Sequence, residues 1–152
     1  MINRTKVVTR LAFIEDACKE MRNLGSAEKE EFLKDKTKVA AVESYLRRSL
    51  EALFDIGRHI LVHEGWRDYS MEYKSIARGL VEKKIVSDDV KTKLMQMAGY
   101  RNRMVHFYDE VTPEELYQIV HEDLKDIEKI IQEIKEYILR KEEDTSGKLP
   151  QS

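Results

Sequence analysis

The chain's chemistry is concentrated in one stretch, Tyr100-Arg101-Asn102-Arg103-Met104-Val105-His106-Phe107-Tyr108. It brings together two guanidinium groups, an amide, an imidazole and two phenols. Arg101 also falls where the apolar series Val90, Leu94, Met97 calls for another inward-facing residue. An inward arginine is costly unless it is paired or faces a site. Two readings stay open on composition alone. Arg101 is either a structural arginine, bonded to helix-end carbonyls or to an acid such as Asp109, or a group held ready for an anion.

Helical spacing relates these side chains. At ~100° per residue, Asn102 and His106 share a face, so the amide can orient the imidazole. Arg101 and Tyr108 share another face. Arg101 and His106 diverge by about 140° on a regular helix. One straight helix does not aim both at one atom, so either the helix breaks before His106 or two copies of the chain contribute to a joint site. Gly99 would let a partner backbone approach beside the motif.

An arginine fork suits phosphate oxygens, and a histidine moves a proton near neutral pH. RNA brings its own nucleophile, the 2′-hydroxyl. A histidine that removes this proton, with an arginine stabilising the pentacoordinate charge, suffices for cleavage without metal or cofactor. The products would be a 2′,3′-cyclic phosphate and a 5′-hydroxyl. Two-fold pairing would supply a second histidine as the general acid.

The elements that must position this stretch read as helices throughout. No apolar/polar alternation persists long enough for a strand, and residues 1–112 contain no proline. A first helix is expected from about Arg4 to Arg22, with Val7, Val8, Leu11, Ile14, Cys18 and Met21 inward. A long second helix covers about Glu28 to His63, firm from Val39 through Val42, Leu46, Leu50, Leu53, Ile56 and Ile60, with a break possible before Val39. Ser70 can cap a third helix, Met71 to Lys84. Ser87 can cap a fourth, assisted by Asp88 and Asp89. Thr112-Pro113-Glu114-Glu115 opens a fifth as a capping box with proline in the first turn. Its stripe is Leu116, Val120, Leu124, Ile127, Ile131, Ile134 and Ile138. The expected architecture is all-α, an antiparallel four/five-helix bundle over residues 1–141, with a disordered tail over 142–152.

Composition narrows the function. At 152 residues the chain suits one domain. Its 27 Lys+Arg and 29 Asp+Glu nearly cancel, which excludes a generally basic nucleic-acid binder and leaves RNA affinity to a local patch. Candidates for that patch are Arg101 and Arg103 with Lys83, Lys84, Lys91 and Lys93. The single cysteine, Cys18, excludes a disulfide scaffold and reads as inert core. No apolar run approaches membrane-spanning length, and the polar N-terminus lacks a secretory pattern, so a cytoplasmic location is expected.

The motif Arg101-Asn102-x-x-Val105-His106-x-Tyr108 resembles the R-x4-H-x-Y signature of HepT-like toxins, in the HEPN superfamily of helical ribonucleases. The helix from Val42 to Ile60, with Leu53-Phe54-Asp55-Ile56-Gly57-Arg58-His59-Ile60, and the segment from Tyr69 to Leu80 are similar to the corresponding parts of the family. The resemblance implies a type VII-like toxin–antitoxin system. It implies a homodimer or higher even oligomer whose cleft pairs the motifs of two chains, with Arg101 and His106 catalytic and Asn102 and Arg103 supporting. It also implies a MntA-type minimal nucleotidyltransferase antitoxin that adenylylates the motif tyrosine, here Tyr108. The alternatives are a non-catalytic helical module that binds a nucleotidyltransferase and uses Arg101 for phosphate, and a helical oligomerisation domain with a structural arginine.

Elsewhere, His59 and His63 have a metal-compatible spacing but no evident third ligand, and their charge also suits a helix C-terminus. His121, among acids, reads as a solvated surface residue. Met95, Met97 and Met104 read as core or interface filler. Trp66 is either a packing lid or part of a partner surface.

Overall fold

A computed structural model of the chain describes residues 2–66, 72–105 and 110–147. All regular structure among them is helical: α1 (Arg4–Leu24), α2 (Lys29–Lys34), α3 (Lys36–His63), α4 (Tyr73–Glu82), a 3₁₀ turn (Asp88–Val90), α5 (Lys91–Val105), α6 (Pro113–Glu122) and α7 (Leu124–Gly147). The most extensive packing is α1 along α3, followed by α4 against α5. The five expected helices thus appear as seven, because two of them break.

The first break lies at Asp35. Its backbone is extended, and its side chain accepts from the Lys38 N–H at 3.1 Å to cap α3. The turn lets Phe32 leave a Lys/Glu-rich surface and bury completely, 5.3 Å from the Tyr117 ring. The Tyr117 hydroxyl in turn donates to the Ala27 carbonyl at 3.2 Å. The second break, not expected from the unbroken apolar series, lies at Asp123. This residue is 4% exposed, and its carboxylate draws Lys93 Nζ and the Tyr100 hydroxyl, each at 3.5 Å. A buried carboxylate at the α6/α7 joint therefore ties that joint to α5. Burial pushes the Asp123 carboxyl above its ordinary range, against the opposing pull of Lys93.

The apolar stripes hold with one correction. Val7, Leu11, Ile14, Cys18 and Met21 are buried, but Val8 is 49% exposed, because α1 presents it to one side of the α3 contact. Leu116, Val120, Leu124, Ile127, Ile131, Ile134 and Ile138 are all buried, spanning the second break without loss of phase. The Thr112–Glu115 capping box is present with Pro113 in the first turn. Ser87 does not act as a side-chain cap. Its N–H and hydroxyl instead donate to Glu133 of α7 at 2.6 and 3.3 Å. The expected cap at Ser70 lies outside the described residues. Helix α7 continues to Gly147, beyond Glu142 where the tail was expected to begin.

Two glycines let α4 approach α3. A Cβ on Gly57 would stand 2.9 Å from Ile76 Cγ2, and one on Gly79 would stand 2.9 Å from both Leu61 Cδ1 and the Trp66 ring. Trp66 is thus a packing residue over α4, half-buried, with an indole N–H that has no acceptor among the described residues. This close contact sets the position of Tyr73, at the start of α4, beside the end of α5.

Candidate functional site

Arg101 lies in the last turns of α5, and its side chain is 11% exposed. Its Nη2 forms an ion pair with Glu51 Oε1 of α3 at 3.1 Å, and its guanidinium carbon sits 5.0 Å from the centre of the Tyr73 ring of α4. The Tyr73 ring is backed by Phe54, 5.1 Å away. The pairing expected of an inward arginine is therefore present, but with Glu51 rather than with helix-end carbonyls; Asp109 lies outside the described residues. Two donors of this group, Nε and Nη1, are buried without a hydrogen-bond acceptor among the described residues. Each such donor costs about 1–3 kcal/mol relative to a satisfied one, so the site holds unspent donor capacity.

Glu51 carries a second cation, Arg47 Nη1 at 3.9 Å, and Arg47 also reaches back to Glu43. No helical spacing links Glu51 with Arg101. The only signal for it in the sequence was the need of an inward arginine for some acid. Tyr73 falls within the third expected helix, and nothing in its spacing marks its ring as a platform for Arg101.

Arg103 points elsewhere. Its Nη1 and Nη2 donate to Glu115 at 2.6 and 2.8 Å, and Nη2 also donates to the Glu110 carbonyl at 3.0 Å. It ties the end of α5 to the start of α6, on either side of residues 106–109. Arg103 lowers the Glu115 carboxyl to about 2. Asn102 is half-buried. His106, Tyr108 and the question whether the helix breaks before His106 all lie outside the described residues. A Cβ on Gly99 would meet no atom of the described residues within 4 Å, so there is room beside this position of α5.

The expected cationic patch is only partly realised. Lys93 is drawn to Asp123 and Asp126, at 3.5 and 3.6 Å. Lys84 and Lys91 line a cleft of about 710 Å³ with Arg140, but Glu82, Glu133 and Glu136 line it too, so its charge is mixed.

The remaining candidates have structural work. His59 Nε2 accepts from the Asn3 N–H at 2.9 Å, and its ring stands edge-on to His63 at 4.7 Å. Burial, with His63, Lys6 and Arg10 nearby, lowers the His59 pKa. His121, although exposed, is bonded to the Gly25 carbonyl at 2.8 Å and packs on Tyr117, so it is less free than its acidic neighbours suggested. Cys18 is fully buried, and burial pushes its thiol up to about 12. Among the described residues no helix is long and apolar enough to cross a membrane.

The family described as "Ribonuclease HepT-like" matches residues 14–134. The tRNA nuclease HepT of Aphanizomenon flos-aquae (strain 2012/KM1/D3) is 22% identical over 139 residues, covering 91% of this chain and 93% of that protein. A solved structure of a tri-AMPylated Shewanella oneidensis HEPN toxin in complex with an MNT antitoxin superposes with a TM-score of 0.75 at 25% identity, covering 86% of this chain and 96% of that one. The cytosolic protein YutE of Bacillus subtilis, described as of unknown function, shares the fold with a TM-score of 0.76 at 20% identity, covering 92% and 93%.

Proposed function

This chain belongs to the HepT-like ribonuclease family, and from that premise we propose that it is the toxin of a toxin–antitoxin pair: a metal-independent endoribonuclease neutralised by a MntA-type nucleotidyltransferase. The observation that carries the reading is Arg101, nearly buried and flanked by Glu51 and Tyr73, with two donor nitrogens left without acceptors among the described residues. Such a group is suited to the charge that develops on a phosphoryl oxygen.

In this reading His106 removes the proton of the RNA 2′-hydroxyl. The 2′-oxygen then bonds to the adjacent phosphorus, and the bond from phosphorus to the 5′-oxygen breaks. The leaving 5′-oxygen takes its proton from the second copy's histidine, leaving a 2′,3′-cyclic phosphate and a 5′-hydroxyl. Arg101 stabilises the pentacoordinate charge, and Asn102 orients the imidazole. Arg103 supports the site as the tie to Glu115 and Glu110 rather than as a phosphate ligand. A homodimer is supported by the divergence that regular helical spacing gives Arg101 and His106 and by the room beside Gly99.

The Aphanizomenon relative, a tRNA nuclease by name, favours tRNA as the substrate class. The AMPylated Shewanella toxin with its MNT antitoxin favours regulation by adenylylation, assigned here to Tyr108. A second reading, a non-catalytic partner of a nucleotidyltransferase, is favoured by the Arg101–Glu51 pair, since a paired arginine also serves structure alone. Incubating the purified chain with tRNA in EDTA separates them. Fragments ending in a 2′,3′-cyclic phosphate support the nuclease, and intact tRNA supports the second reading.

A further inference from the structure

We infer that Glu51 and Tyr73 are positioning residues for Arg101, holding its guanidinium in one orientation before substrate arrives. The inference rests on the reading of Arg101 as the phosphate-stabilising group and adds two residues, from two other helices, to that site.

Glu51 restrains the guanidinium through Nη2 at 3.1 Å, and Tyr73 restrains it through a ring centre 5.0 Å from the guanidinium carbon. One acts through charge and the other through a π face, so together they limit both swing and tilt of a planar group. The platform is itself rigid. Phe54 is fully buried behind Tyr73, and the missing side chain of Gly57 lets α4 seat closely on α3.

The pair is not built as a closed structural salt bridge. Arg101 is 11% exposed and Glu51 is 38% exposed, and Glu51 also attracts Arg47 at 3.9 Å. Among the described residues, Nε and Nη1 of Arg101 are buried without acceptors. Native proteins satisfy nearly all buried donors, so an arginine kept only for structure would be expected to use them. Donors fixed beforehand lower a barrier because they need not reorient as charge develops. Released from Glu51, the guanidinium would regain rotamers and lose that advantage, while affinity for RNA, which depends on many phosphate contacts, would change little.

The test uses the full chain with bulk tRNA in EDTA, comparing Glu51→Gln, Tyr73→Leu and Tyr73→Phe, with helicity checked for each. Turnover is expected to fall about tenfold or more in Glu51→Gln and Tyr73→Leu, with KM within about twofold of wild type. Tyr73→Phe, which keeps the ring face, should restore most of what Tyr73→Leu loses. In parallel, the ¹⁵N-resolved Nε–H signal of Arg101, assigned by its loss in Arg101→Lys, should exchange slowly with water in wild type and faster in Glu51→Gln. Wild-type turnover in both Glu51→Gln and Tyr73→Leu overturns the inference, as does an unchanged Nε–H exchange rate. If Tyr73→Leu does not fold, Glu51→Gln alone decides, since Glu51 is half-exposed. If wild type cleaves no RNA, the nuclease reading fails, and the Nε–H exchange still decides whether Glu51 positions Arg101.

Discussion

Arg103 and Glu115 form a two-pronged pair, Nη1 to Oε2 at 2.6 Å and Nη2 to Oε1 at 2.8 Å, that joins the end of α5 to the first turn of α6. The same carboxylate closes the Thr112 capping box, accepting from the Thr112 N–H at 3.2 Å. One side chain thus caps a helix and binds two helices together.

This pair gives a pH signature. Arg103 holds the Glu115 carboxyl down at about 2, against an ordinary value of 4.5. A lowered carboxyl pKa stabilises the fold above the unfolded value, and that contribution is lost as pH falls through the folded value. Wild type should therefore lose more thermal stability than Glu115→Gln between about pH 4.5 and 2. At neutral pH, Arg103→Leu should cost roughly 1 kcal/mol by chemical denaturation, because the pair is partly exposed. Parallel pH profiles for wild type and Glu115→Gln would contradict this account.

Cys18 should be unreactive in the folded protein. It is fully buried and its thiol is pushed up to about 12, chiefly by burial. The thiolate is the reactive form. A disulfide reagent at pH 8 is expected to label the native chain slowly and the guanidinium-unfolded chain at the rate of a free thiol. Rapid labelling of the native chain would show that α1 opens.

Phe32 anchors a helix of only six residues. It is fully buried against Tyr117, whose hydroxyl holds the Ala27 carbonyl. Phe32→Ala should cost about 3–5 kcal/mol by chemical denaturation. A loss under about 1 kcal/mol would mean that α2 contributes little to the core.

Adenylylation should depend on Tyr108. Co-expression with a MntA-type nucleotidyltransferase is expected to add one or more AMP units to the intact mass of wild type and none to Tyr108→Phe. Modification that persists in Tyr108→Phe would move the regulatory residue elsewhere.

Legibility followed the range of the interactions. The Thr112–Pro113–Glu115 start of α6 was readable because all its partners lie within one turn. The stripe from Leu116 to Ile138 was readable as periodicity, but the break inside it was not, because Asp123 is set by Lys93 and Tyr100 on another helix. Ser87 failed as a cap for the same reason, since Glu133 of α7 captures it. At the site, the inward place of Arg101 in the Val90–Leu94–Met97 series was visible, and its need of a partner followed from the cost of burial. Which partner could not be read, because Glu51 and Tyr73 reach it through the packing of α3 and α4 and no spacing along the chain encodes that contact.

Single-turnover cleavage of tRNA in EDTA by wild type, Arg101→Ala and His106→Ala tests the central claim most directly. The account predicts cleavage by wild type and a loss of about 10²–10³ in rate for Arg101→Ala, with a comparable or larger loss for His106→Ala and a retained helical signal in both. Cleavage at the wild-type rate by either variant would contradict it.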